Sequence, residues 1–139
     1  MADLATITAV RTTADTTKSD VTYGATIAAG QTVYKDTADS DKWKLADCDN
    51  TTATAGSGGI GIAVTPGIDT GKGIVATGGS IILVGTTMAV GTNYVVSDTP
   101  GGIKPTADQA TGDYITNLGN AATATQLDIT AVVTGNQVP

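Results

Sequence analysis

The sequence predicts an all-β domain, a small β-barrel or sandwich carrying an extended N-terminal arm. Three observations predict it. The chain has no glutamate and no histidine, and in their place stand 27 threonines, 20 alanines and 18 glycines. Glutamate is a good helix former, whereas threonine, glycine and aspartate are not. No window carries apolar residues at a period of 3.6, while short runs rich in Val, Ile and Thr recur at the spacing of sandwiches and barrels. Explicit turn chemistry separates those runs: Ala29-Gly30, Gly56-Ser57-Gly58-Gly59, Pro66-Gly67, Gly78-Gly79, Pro100-Gly101-Gly102 and Thr134-Gly135-Asn136. Proline presets φ and glycine supplies positive φ, as tight turns require.

Residues 1–20 form the arm, and residues 21–139 the single β-rich domain. Within the arm, alternation is confined to Leu4-Ala5-Thr6-Ile7-Thr8-Ala9-Val10. The stretch RTTADTTKSD at 11–20 has no apolar residue larger than alanine. It cannot pack a core by itself, so an extended arm or a solvated loop is expected. Strands are then expected at 21–27, 32–35, 42–46, 60–64, 73–77, 81–84, 93–96, 112–118 and 126–133. Thr and Val, stiff at χ1, suit these pleated surfaces. One short helix is possible at 106–110.

An internal echo spans 61 positions. Ile27-Ala28-Ala29-Gly30-Gln31-Thr32-Val33-Tyr34 and Met88-Ala89-Val90-Gly91-Thr92-Asn93-Tyr94-Val95 place Gly30 and Gly91 in the same register. Each phrase then runs into an Asp-Thr pair, Asp36-Thr37 and Asp98-Thr99. Matching fails beyond a dozen positions, so turn chemistry shared by two hairpins is favoured over duplication.

A chain of 139 residues fits one domain, and one of this size buries roughly two-thirds of its unfolded surface. The core must be lean in aromatics, with no Phe, a single Trp (Trp43) and four Tyr (Tyr23, Tyr34, Tyr94, Tyr114). Aliphatic residues bury less area each, so association between copies is expected to make up the deficit. A net charge of −6 argues against nucleic-acid binding. Lys42-Trp43-Lys44 reads as a strand aromatic between solvated charges rather than a base-stacking site.

Several chemistries fall away. Cys48 has no partner cysteine, no histidine to activate it, and Asp47 and Asp49 beside it, so it reads as an inert thiol. Gly56-Ser57-Gly58-Gly59-Ile60-Gly61 has polar loop before it and a strand after it, the wrong context for a phosphate loop. Asp36, Asp39, Asp41, Asp47 and Asp49 could offer oxygens to calcium, but they miss the EF-hand spacing and have no closing glutamate. A carboxylate-rich hairpin tip is the simpler reading. Without histidine and with one cysteine, no transition-metal set exists. No spacing nominates a pair of aspartates for glycoside hydrolysis. No catalytic residue, cofactor or metal is therefore expected, and the chain is read as not an enzyme. The N-terminus lacks a signal-peptide pattern, and no run approaches the roughly twenty apolar residues of a membrane helix, so a soluble protein is expected.

Four phrases follow in order: ATIAAGQTVYKDTADSDKWKLA from Ala25, GIGIAVTPGIDTGKGIVATGG from Gly59, MAVGTNYVVSDTPGGIKPTAD from Met88, and GDYITNLGNAATATQLDITAVVTG from Gly112. This succession resembles the small capsid decoration (cement) proteins of tailed bacteriophages over residues 21–138. The arm lies outside it. The resemblance implies a barrel or tulip fold and self-association, as a homotrimer or a dimer. It also implies residence on the virion surface after synthesis in the host cytoplasm. The partner would be the major capsid protein, whose subunits the decoration protein bridges against internal pressure. The resemblance carries over no catalytic residue. Shell contacts are expected in the arm (Leu4, Ile7, Val10) and the last strand (Leu127, Ile129, Val132, Val133), and self-contacts around Tyr34, Trp43 and Tyr94, because aromatics are enriched at interfaces. A phage tail, fibre or receptor-binding module in the same Thr/Gly-rich strand style is the alternative.

Overall fold

A computed structural model describes residues 3–4 and 7–139. The described residues form ten strands: β1 (Ala9–Thr12), β2 (Thr17–Thr22), β3 (Thr32–Asp36), β4 (Lys42–Leu45), β5 (Ile60–Ala63), β6 (Lys72–Val84), β7 (Asn93–Val96), β8 (Ile103–Pro105), β9 (Tyr114–Ala121) and β10 (Gln126–Gln137). The expected helix at 106–110 is a single 3-10 turn, Thr106–Asp108. The all-β class is therefore as the composition predicts, and the curled antiparallel sheet forms a half-barrel.

The strand order is β4-β3-β5-β6-β10-β9-β7-β8, with β1 and β2 also on β6. Strand β6 organises the molecule. The runs expected at 73–77 and 81–84 are one strand of 13 residues, and Gly78-Gly79 bends it rather than ending it. Gly79 has φ +72°, and a Cβ there would sit 1.8 Å from the Asp15 carbonyl oxygen, so only glycine fits. Below the bend β6 pairs with β2 and β5; above it, with β1 and β10.

The lower strands curl until the end of β2 meets β4. There Tyr23 and Trp43 form a parallel bridge, and the Gly24 N–H donates to the Trp43 carbonyl at 2.8 Å. Val21, Tyr23, Ile27, Val33, Trp43, Ala63 and Val75 pack within that curl. Tyr23 is fully buried, and its hydroxyl donates to the Thr65 carbonyl at 2.7 Å. A larger core, including Ile62, Ile81, Leu83, Tyr94, Leu118 and Leu127, joins the two groups of strands. All four residues of β5 are buried. Its two faces serve different cores, Ile60 and Ile62 the larger and Ala63 the smaller.

The strand order reads as two matched halves. Hairpin β3–β4 lies beside β5 and then β6; hairpin β7–β8 lies beside β9 and then β10; β6 and β10 join at the seam. The echoed phrases occupy equivalent places. Gly30 and Gly91 have φ of +88° and +81°, and their N–H groups donate to the carbonyls of Ala63 and Ala121, the last residues of β5 and β9. The similarity thus extends to a four-strand unit, beyond the shared turn chemistry that the sequence favours.

The arm differs from expectation. Its described residues include β1 and most of β2, and the boundary at 20/21 falls inside β2. Leu4 donates its N–H to the Ile103 carbonyl of β8, and Thr8 its N–H to Val84 of β6. Leu4, Ile7 and Val10 pack against the larger core. Backbone pairing to β6 orders a segment whose side chains alone could not. The strand expected at 21–27 accordingly starts earlier and ends at Thr22, where the bridge to β4 begins.

Candidate functional site

The residues expected to make contacts are mostly inside the protein. Tyr34, Trp43, Tyr94, Leu127 and Ile129 are buried. Leu4, Ile7, Val10 and Val133 are partly buried against the larger core. Only Val132, 49 % exposed, presents itself to a partner. Tyr34, Trp43 and Tyr94, where self-contacts are expected, lie in the protein's own cores, as suits a chain without Phe and with few large rings.

What lies open is backbone. Strand β10 pairs with β6 only as far as Ile129↔Gly79, because β6 bends away there. It continues along β9 to Gln137↔Tyr114, so residues 130–137 have a partner strand on one side only. This stretch, TAVVTGNQ, holds no charged residue and no proline. Proteins that stay single usually guard such an edge with lysine, proline or a bulge. Here the register shifts beside Ala131, whose φ is +50°, and past Val133. The exposed edge is otherwise bare.

The acidic hairpin tip between β3 and β4 is built by ion pairs. Lys44 Nζ lies 2.9 Å from Asp36 and 3.0 Å from Asp39, and Lys42 lies 4.0 Å from Asp39. Hydrogen bonds donated to Asp36 and Asp39 push Lys44 above its ordinary value. Among the described residues no three carboxylate, cysteine or histidine side chains are grouped to hold a metal. Beside the tip, β2, Lys35, Ser40, Asp41, Trp43 and Lys72 line an open groove of about 860 Å³. Its charges are of both signs, and Lys72 is already tied to the Thr22 hydroxyl at 2.9 Å.

The most unusual polar group lies in the second half. Lys104 of β8 and Asp113, just before β9, are both about 4 % exposed at the side chain, with Lys104 Nζ 2.7 Å from Asp113 Oδ2. Asp98, half-exposed, stands 3.6 Å from the same nitrogen. Asp113 Oδ2 also accepts the Ala110 N–H at 2.9 Å. Burial pushes the Asp113 carboxyl up, but the Lys104 ammonium and the Ala110 N–H more than reverse it, leaving it below the ordinary value. Burial pushes Lys104 down, and Asp113 and Asp98 more than reverse that. Cys48 sits buried against this pair, and burial pushes its thiol up to about 12. No pattern in the sequence points to Lys104; its place opposite Val95, which repeats that of Lys44 opposite Tyr34, emerges only from the strand pairing.

Neither a family model nor a curated protein matches this chain.

Proposed function

We propose that this chain is a structural protein of a phage virion, binding the outer face of the capsid shell and bridging major capsid protein subunits. The observation that carries this reading is the open β10 edge at 130–137, long, uncharged and without a lysine or proline to guard it. An extended edge captures a partner through main-chain hydrogen bonds and needs no reactive group. The ordered phrases that resemble decoration proteins support the same reading, and β9 and β10 lie within their last phrase. Self-association, as a trimer or dimer, belongs to the proposal and would draw on the same kind of contact.

The test is adsorption to bare expanded shells. Bound protein should raise the temperature at which the shells come apart, by mass action on the assembled state. Val132→Lys, placed at an exposed position, should change the stability of the free protein by no more than about 0.5 kcal/mol while weakening shell binding at least tenfold. Absence of adsorption, or V132K binding as well as the parent, would overturn the assignment of this edge. Binding to host envelope instead of shells would favour the tail or receptor-binding alternative.

A further inference from the structure

Burying a lysine is costly. Removing an ammonium and a carboxylate from water costs several kcal/mol per ion, on the order of what their attraction returns. The first half shows the ordinary solution: Lys44, at the equivalent hairpin position, keeps its pair with Asp36 and Asp39 near the surface, 29 % exposed. In the second half the chain does otherwise. The loop after β4 crosses over the β7–β8 hairpin, with the Cys48 N–H on the Ser97 carbonyl and the Tyr114 N–H on the Cys48 carbonyl. Lys104 and Asp113 are sealed beneath it with Asp98 at the edge.

We propose that Lys104 and Asp113 are a covalent cross-link site, joined by an amide between Lys104 Nζ and Asp113 Cγ that forms within the folded chain. The reaction begins with proton transfer from the ammonium to the carboxylate, giving a neutral amine and a neutral acid. The neutral pair is a minor form beside the ion pair held at 2.7 Å, and the departure of water from the site draws on it. The Nζ lone pair attacks Cγ. Asp98, 3.6 Å from Nζ, accepts the proton the nitrogen must shed and returns it to the departing oxygen. The Nζ–Cγ bond forms, the Cγ–Oδ2 bond breaks, and one water leaves. Ammonium plus carboxylate becomes amide plus water, so charge and atoms balance and no oxidant or co-reactant is needed. The Ala110 N–H on Oδ2 polarises the carboxyl group. Holding amine and acid in contact supplies effective molarities of roughly 10⁵ M or more, the usual source of rate in such intramolecular steps.

The cross-link stands independently of the capsid reading. Its test is the intact mass of the purified full chain. The mass should be lower than the sequence requires by one water, and fragmentation should confine the loss to the segment from Lys104 to Asp113 with no backbone breaks observed inside it. A cyclic imide at an aspartate gives the same loss, so Lys104→Arg is the control: it keeps the charge, cannot form the amide, and should have full mass. Asp98→Asn should fold and accumulate the dehydrated form at least tenfold more slowly. Full mass in the parent protein after prolonged incubation at neutral pH would overturn the proposal, as would the same water loss in K104R.

Discussion

At the residue scale, the decisive positions are those where an atom has no room or no water. Gly79 lets β6 turn past the Asp15 carbonyl, and a Cβ at Gly73 would lie 2.2 Å from the buried Tyr23 ring. The sequence places a turn at Gly78-Gly79, where the structure has a bend, because a bend inside a strand and a turn between strands ask for the same φ. Asp47 sits in the opposite electrostatic situation from Asp113. Burial, together with Asp49, raises its carboxyl from 3.8 to about 6. The folded state then holds this proton more tightly than the unfolded chain. Its contribution to stability is full below about pH 4 and is lost as pH rises through about 6. Denaturation midpoints measured across that range should fall with rising pH. In Asp47→Asn that fall should largely disappear; an unchanged profile would assign it to other groups.

At the scale of elements, strands were easier to read than their ends. The strands at β3, β4, β5 and β7 lie where alternation and turn residues place them, to within a residue. The failures share a cause. Strands β1 and β8 and the polar half of β2 have too little apolar patterning to announce themselves, and backbone pairing to a neighbour defines them instead. The described residues of the segment 1–20 are thus part of the fold. Deleting it should remove the pairing of both β1 and β2 with β6 and expose the larger core where Leu4, Ile7 and Val10 pack. Circular dichroism should show loss of the cooperative transition or a midpoint lowered by well over 10 °C, since about 1 kcal/mol shifts a domain this size by several degrees. A truncated chain that melts like the parent would restore the view of a detachable arm.

At the scale of the whole molecule, two four-strand units meet along one seam, β6 against β10. The larger core draws residues from both, with Ile62 and Leu83 from the first and Tyr94 and Leu127 from the second. Neither unit closes this larger core alone. Residues 1–85 and 86–139 expressed separately should each be unfolded by circular dichroism, and mixing them should restore β structure if the seam is the main contact. Independent folding of either half would mean that the seam is dispensable. Past the bend in β6 the half-barrel leaves β10 paired with β9 alone, and the candidate contact edge exists for that reason. Its bareness is written in TAVVTGNQ, but its openness is not.

The sequence by itself determined the class of this protein. Missing glutamate, abundant threonine and glycine, and frequent turn pairs leave no route to helices, because propensity and turn chemistry act over a few residues and are local. The missing histidine likewise closed the imidazole routes to metal binding and catalysis. Only the tertiary structure decided which side chains are available. It buried the aromatics expected at an interface, ordered the arm, and brought Lys104 and Asp113 to 2.7 Å across a nine-residue separation. Burial and proximity depend on which distant strand covers a residue, and no local pattern encodes that choice.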